Sequence, residues 1–91
     1  MKSIFAINIC VATSGHDRYD KVAINKHPIV VIGTKEMLRE TLTSSQVEAY
    51  IKKSIPNQEV RSTAEFFVRE ILNESESKTF SIPVTKIIKA S

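Results

Sequence analysis

Ser14-Gly15-His16-Asp17 puts a nucleophile, a base and a carboxylate side by side, and Asp20 and His27 follow. Those residue types can carry acyl transfer or hold a cation. Their spacing argues against both. A working triad converges from separate parts of the chain, with the third group orienting the base. Neighbours in one loop rarely point at one another that way, and the His and Asp spacings match no metal-ligand pattern. An ordinary polar loop is the better reading.

Gly15 and Gly33 are the only glycines. A phosphate-cradling loop needs several, so that backbone can approach the anion. Gly33-Thr34-Lys35 does stand where a strand meets a helix start, and a free helix N-terminus attracts anions. One glycine makes that signal weak, and a capped helix start explains it equally well. Cys10 is the only cysteine. It cannot form an intrachain disulfide, and it sits in an apolar run with no basic neighbour to make it a thiolate. No enzyme activity and no cofactor is therefore expected.

Two sets of residues remain as binding candidates. The first is basic: Arg18, Lys21 and Lys26 around Tyr19, with Lys52-Lys53 and the Lys86, Lys89 pair further on. Cations interleaved with an aromatic can track a nucleic-acid backbone and stack a base. However, the thirteen Lys and Arg are mixed among ten Asp and Glu, for a formal charge of +3. Dedicated nucleic-acid binders cluster their basic residues, so dispersed solubilising charge competes with this reading. The second set is Phe66, Arg69 and Tyr19, for a protein partner. If residues 62–74 form a helix with a stripe of Ala64, Phe67, Val68, Ile71 and Leu72, then Phe66 points almost opposite at about 100° per residue. An aromatic off the stripe suits an interface anchor. Burial against a neighbouring element is the bland alternative.

The elements that must position these residues read as follows. Residues 3–13 form a strand rich in Ile and Val. Phe5, Ile7, Ile9 and Val11 lie on one face, with Ile4, Ala6 and Cys10 on the other, where Asn8 interrupts. A strand apolar on both faces is central and covered on both sides. Ser14 to Asp20 is a loop. Residues 20–33 suggest a hairpin, turning at Asn25-Lys26-His27-Pro28 and ending at Gly33. Thr34 caps a helix over 35–42 that points Met37, Leu38 and Leu42 inward. Ser45-Gln46-Val47-Glu48 reads as a capping box. It opens a helix over 45–55, with Val47, Tyr50, Ile51 and Ile55 on one side and Pro56 and Asn57 ending it. Ser62-Thr63-Ala64-Glu65 reads as a second box, opening the helix over 62–74. The last strand runs over 79–90, with Pro83 placing it at an edge or a bulge.

The order β-β-β-α-α-α-β makes a small single α+β domain over 1–91, with a mostly antiparallel sheet of about four strands and short helices packed on it. Hydrophobic residues are 42% and charged residues 25% of the chain, ordinary for a globular protein and opposed to disorder. Ile7, Ile9, Ile51, Phe67, Val68, Ile71 and Val84 should be buried. If the helices cover one sheet face, the second apolar face of residues 3–13 needs a cover, and a homodimer supplies one. If the helices split over both faces, it does not.

Lys2 and the apolar run after it superficially fit a secretory leader, but Asn8 breaks the run. With a lone cysteine, a cytoplasmic location is expected. No stretch approaches a membrane span, and Asn73-Glu74-Ser75 matches the glycosylation pattern only as chance allows. The expected function is a non-catalytic protein-binding regulator or inhibitor. Small size without chemistry suits an accessory protein of a phage or other mobile element, acting on a larger host complex. The alternative is a small basic nucleic-acid-binding module.

Overall fold

The computed structural model describes residues 2–12 and 21–87, with only the backbone of Lys21. The elements run β1 (Ser3–Ala12), β2 (Lys21–Ala23), β3 (Ile29–Gly33), α1 (Lys35–Leu42), α2 (Ser45–Ser54), α3 (Gln58–Thr63), β4 (Glu65–Ile71), β5 (Ser77–Pro83) and α4 (Val84–Ile87). All strand pairs are antiparallel. The protein is thus a small α+β domain, as its composition and order imply.

Strand β1 is central, as expected, but the described helices cover only one of its two apolar faces. It pairs with β4 on one side and with both β2 and β3 on the other. Residues 20–33 are therefore not a hairpin. β2 and β3 lie end to end along the same edge of β1 and do not pair with each other. The break between them is a bulge. Ala23 faces Cys10 and Ile29 faces Ile7, so the chain takes six steps where β1 takes three.

One side chain repairs the interrupted ladder. Asn25 is almost fully buried. Its Oδ1 accepts from the Ile9 amide at 2.9 Å, and its Nδ2 donates to the Ile7 carbonyl at 3.2 Å and the His27 carbonyl at 2.9 Å. The carboxamide stands in for a missing strand residue, which is what buried backbone polar groups need. Asn8, which interrupts the other face of β1, is only half-buried.

The largest departure from the sequence reading lies at 58–71. The helix expected over 62–74 is instead the short α3 followed by β4. Residues 64, 66, 68 and 70 alternate inward, a period of two. Phe66, Phe67, Val68 and Ile71 favour strands, and β1 supplies a partner along the whole length of β4. Glu70 hid this alternation in the sequence, because a charge broke the inward set. It is buried at 6% exposure, opposite Phe5 on one side and Lys78 on the other.

Burial inverts accordingly. Phe66, expected outside, is fully buried, and Phe67, expected in the core, is 39% exposed. Ile71 is half-buried. Met37, Tyr50 and Leu72 are exposed as well, contrary to their inward assignment. Ile7, Ile9, Ile51, Val68 and Val84 are buried as expected.

Thr34 caps α1 by accepting from the Met37 amide at 3.3 Å. Just before it, Gly33 has φ +153°, where a side chain would be strained and would run into Met37. Ser44, one residue ahead of the expected Ser45, caps α2 through the Val47 amide. Asn57 caps α3 through the Glu59 amide at 2.8 Å, and Ser62 lies in the last turn, its hydroxyl donating to the Glu59 carbonyl at 2.6 Å. A serine run offers two registers for one capping pattern, and the next helix takes its cap from Asn57.

The hairpin between β4 and β5 closes on Asn73, whose Oδ1 accepts from the Ser75 and Glu76 amides at 2.9 Å each. β5 is an edge strand, as Pro83 demands, and the chain then turns into α4 where a continued strand was expected. Residues 88–91 lie outside the described residues.

Candidate functional site: the uncovered sheet face

Inward positions of β1, β3 and β4 and the buried residues of the helices form one cluster. Phe5, Ile7, Ile9, Val31, Phe66 and Val68 from the sheet pack with Leu38, Leu42, Val47, Ile51 and Val84. The helices therefore cover one face of the sheet. The described residues leave the opposite face without a helix.

That face is laid out by the strand register. One row across the sheet is Ile32, Ile4, Ile71 and Ser77. The next is Val30, Ala6, Arg69 and Thr79. Then come Asn8, Phe67 and Ser81, and finally Ala23, Cys10, Glu65 and Pro83. Ile32 is 63% exposed, Val30 57%, Ile4 42% and Phe67 39%. Scattered surface apolar residues are normal, but contiguous ones on a rimmed face mark an interaction surface. Phe67 stands near the middle of the β4 strand, flanked across the sheet by the small polar Asn8 and Ser81 and along its own strand by Glu65 and Arg69.

Of the expected protein-binding residues, Arg69 is exposed on this face, two positions from Phe67. Phe66 belongs to the core, and Phe67 takes the place assigned to it. Tyr19 lies outside the described residues, together with Arg18 and the Ser14-Gly15-His16-Asp17 segment. The signal that could have found Phe67 is the alternation of Ala64, Phe66 and Val68, which turns the next residue outward once β4 is read as a strand.

Among the described residues, Lys26, Lys52, Lys53 and Lys86 do not lie on the uncovered face, while Arg18 and Lys89 lie outside the described residues. Lys52 and Lys53 are on α2, and Lys52 pairs with Glu48 at 3.1 Å. Lys26 and His27 border a groove of about 600 Å³ shared with Val47 and Tyr50 of α2. Lys35, Arg39 and Lys86 rim another groove, of about 550 Å³, floored by Leu38, Leu42, Phe80 and Ile82. These cations sit with the helical layer. The Lys21 position falls on the uncovered face by register alone, opposite Ala12.

Chemistry is sparse. Among the described residues no group of three or more His, Cys, Asp or Glu could hold a metal. No described helix is long and apolar enough to cross a membrane. Cys10 is half-buried on the uncovered face and has an interaction within the chain. The chain matches no protein-family model, no curated protein and no solved structure.

Proposed function

We propose that this protein is a non-catalytic protein-binding regulator or inhibitor that docks through its uncovered sheet face. The observation that supports the reading is the run of exposed apolar side chains on one face of the sheet: Ile4, Val30, Ile32 and Phe67. An antiparallel sheet normally turns polar residues to solvent when one face is packed. Here Ile4, Val30, Ile32 and Phe67 stand exposed on that side among polar residues, and they need a cover. The mixture also favours protein over nucleic acid. A base-stacking platform uses several aromatics in a cationic groove, whereas the described residues of this face include one aromatic and one arginine, with aliphatic residues toward β3 and small polar residues toward β5.

In this reading Phe67 is the anchor and Arg69 the polar contact beside it, with affinity concentrated in few residues. A small domain with such a face suits an accessory protein acting on a larger complex, as mobile elements encode. It acts in the cytoplasm, where a lone cysteine stays reduced. The test is affinity capture after nuclease treatment, with the wild type beside Phe67→Ala. A partner retained by the wild type and weakened by more than about 1 kcal/mol in a folded Phe67→Ala protein supports the reading. Capture that disappears with nuclease, or that ignores Phe67, removes it.

A further inference from the structure

The uncovered face is self-complementary about one of its rows, and we infer that its occupant is a second copy of this chain, packed face to face. The inference rests on the reading of this face as a protein-docking surface and names what covers it when no other partner is bound.

Take a twofold axis lying between two sheets and passing across the strands at the Asn8–Phe67 row. The axis sets each strand antiparallel to its own copy, the aligned arrangement in which sheets pack about 10 Å apart. Phe67 then meets Phe67 of the partner subunit. Glu65 and Arg69 are each two residues from Phe67 on the same side of β4, so the axis lays each over the other's counterpart in the second copy. Two opposite-charge pairs form from one strand. The long side chains of Arg and Glu span the gap between sheets. Glu65 already has an interaction within its own chain, and a carboxylate accepts more than one.

Side-chain size follows the same symmetry. Relative to Asn8, Ala6 lies as far to one side as Cys10 to the other, and Ile4 as far as Ala12. The axis therefore sets the Ala6–Val30 row over the Cys10–Ala23 row, and the Ile4–Ile32 row over the Ala12–Lys21 row. The bulky Val30 and Ile4 meet the small Ala23 and Ala12, while Ile32 lies over the Lys21 position. Large-onto-small pairing is how two inner sheet faces interdigitate. The Glu65–Arg69 pairs and the two large-onto-small pairs thus fall on the same axis, and an isologous contact requires such self-complementarity. A heterologous partner that uses this face has to displace the second copy, so self-association sets the concentration at which the regulator is available.

The test is sedimentation velocity from micromolar to submillimolar concentration, with folding checked by circular dichroism. Wild type should be a dimer. Glu65→Arg sets two guanidinium groups together across the axis, and Arg69→Glu sets two carboxylates together. Each variant alone should dissociate at least about tenfold more readily, because like charges across an interface repel. An equimolar mixture of the two variants should recover a heterodimer, since both cross-pairs become opposite in sign. Phe67→Ala should be monomeric. A monomeric wild type overturns the inference, and so does a mixture that stays monomeric or a Phe67→Ala protein that still dimerises. If the wild type is monomeric yet Phe67-dependent capture of another protein survives, the second copy is wrong and the docking face stands.

Discussion

Phe66 and Phe67 divide the work of the molecule between them, because a strand turns neighbouring residues to opposite sides. Phe66 has no exposure and lies across from Ile9 and Ile82 in the register. Phe66→Ala should cost about 3–5 kcal/mol, through lost transfer energy and a cavity. That is a large part of the stability of so small a domain. Phe67→Ala should change monomer stability by less than about 1 kcal/mol. Urea unfolding at a concentration where the protein is monomeric checks both, and equal costs would mean that the strand faces are assigned wrongly. Asn25 supports a second prediction. Asn25→Ala strands the Ile9 amide and the Ile7 carbonyl in the interior, for a loss of about 2 kcal/mol or more. Hydrogen exchange should show the Ile9 amide losing protection first, and unchanged protection there would mean that the ladder closes without the carboxamide.

The elements divide by how much their local pattern says about them. β1 was legible because both of its faces are apolar, and α1 because Thr34, Leu38 and Leu42 agree on one start and one face. Gly33 marks the end of β3 by needing a positive φ. The α3–β4 segment was not legible locally. Ala64, Phe67, Val68, Ile71 and Leu72 fit a helical stripe, while Ala64, Phe66 and Val68 fit a strand. The choice comes from pairing with β1 and β5, which no local window contains. The β2–β3 break was also hidden, since a bulge repaired by a distant Asn looks like a turn. The site suffered directly: its position depended on the one element whose type was ambiguous. Cap substitutions separate the two registers. Ser44→Ala should cost about 1 kcal/mol, and Ser62→Ala should cost little, because its hydroxyl only donates to a carbonyl within its own helix. Thermal melts of the two variants decide it, and a larger loss at Ser62 would restore the helix over 62–74.

At the scale of the whole molecule the two layers have different characters. The helical layer carries Lys35, Arg39, Lys52, Lys53 and Lys86, and the bare sheet face carries the aliphatic residues with Phe67 and Arg69. A nucleic-acid strand therefore cannot lie along the lysines of α2 and stack on Phe67 at once, since the sheet stands between them. This separation ranks two variants. Phe67→Ala should weaken protein binding strongly. Lys52→Glu with Lys53→Glu should act mainly on the association rate, and its effect should fade as salt screens exposed charge, with a Debye length of about 8 Å at physiological ionic strength. Lys52 already spends part of its charge on Glu48, which reduces the change further. A nucleic-acid binder inverts the order: the lysine reversal abolishes binding and flattens its salt dependence, while Phe67→Ala is nearly silent. Measuring both variants against the captured partner and against an oligonucleotide, at low and high salt, separates the two functions. A steep salt slope that vanishes with the lysines would move the site from the sheet face to α2.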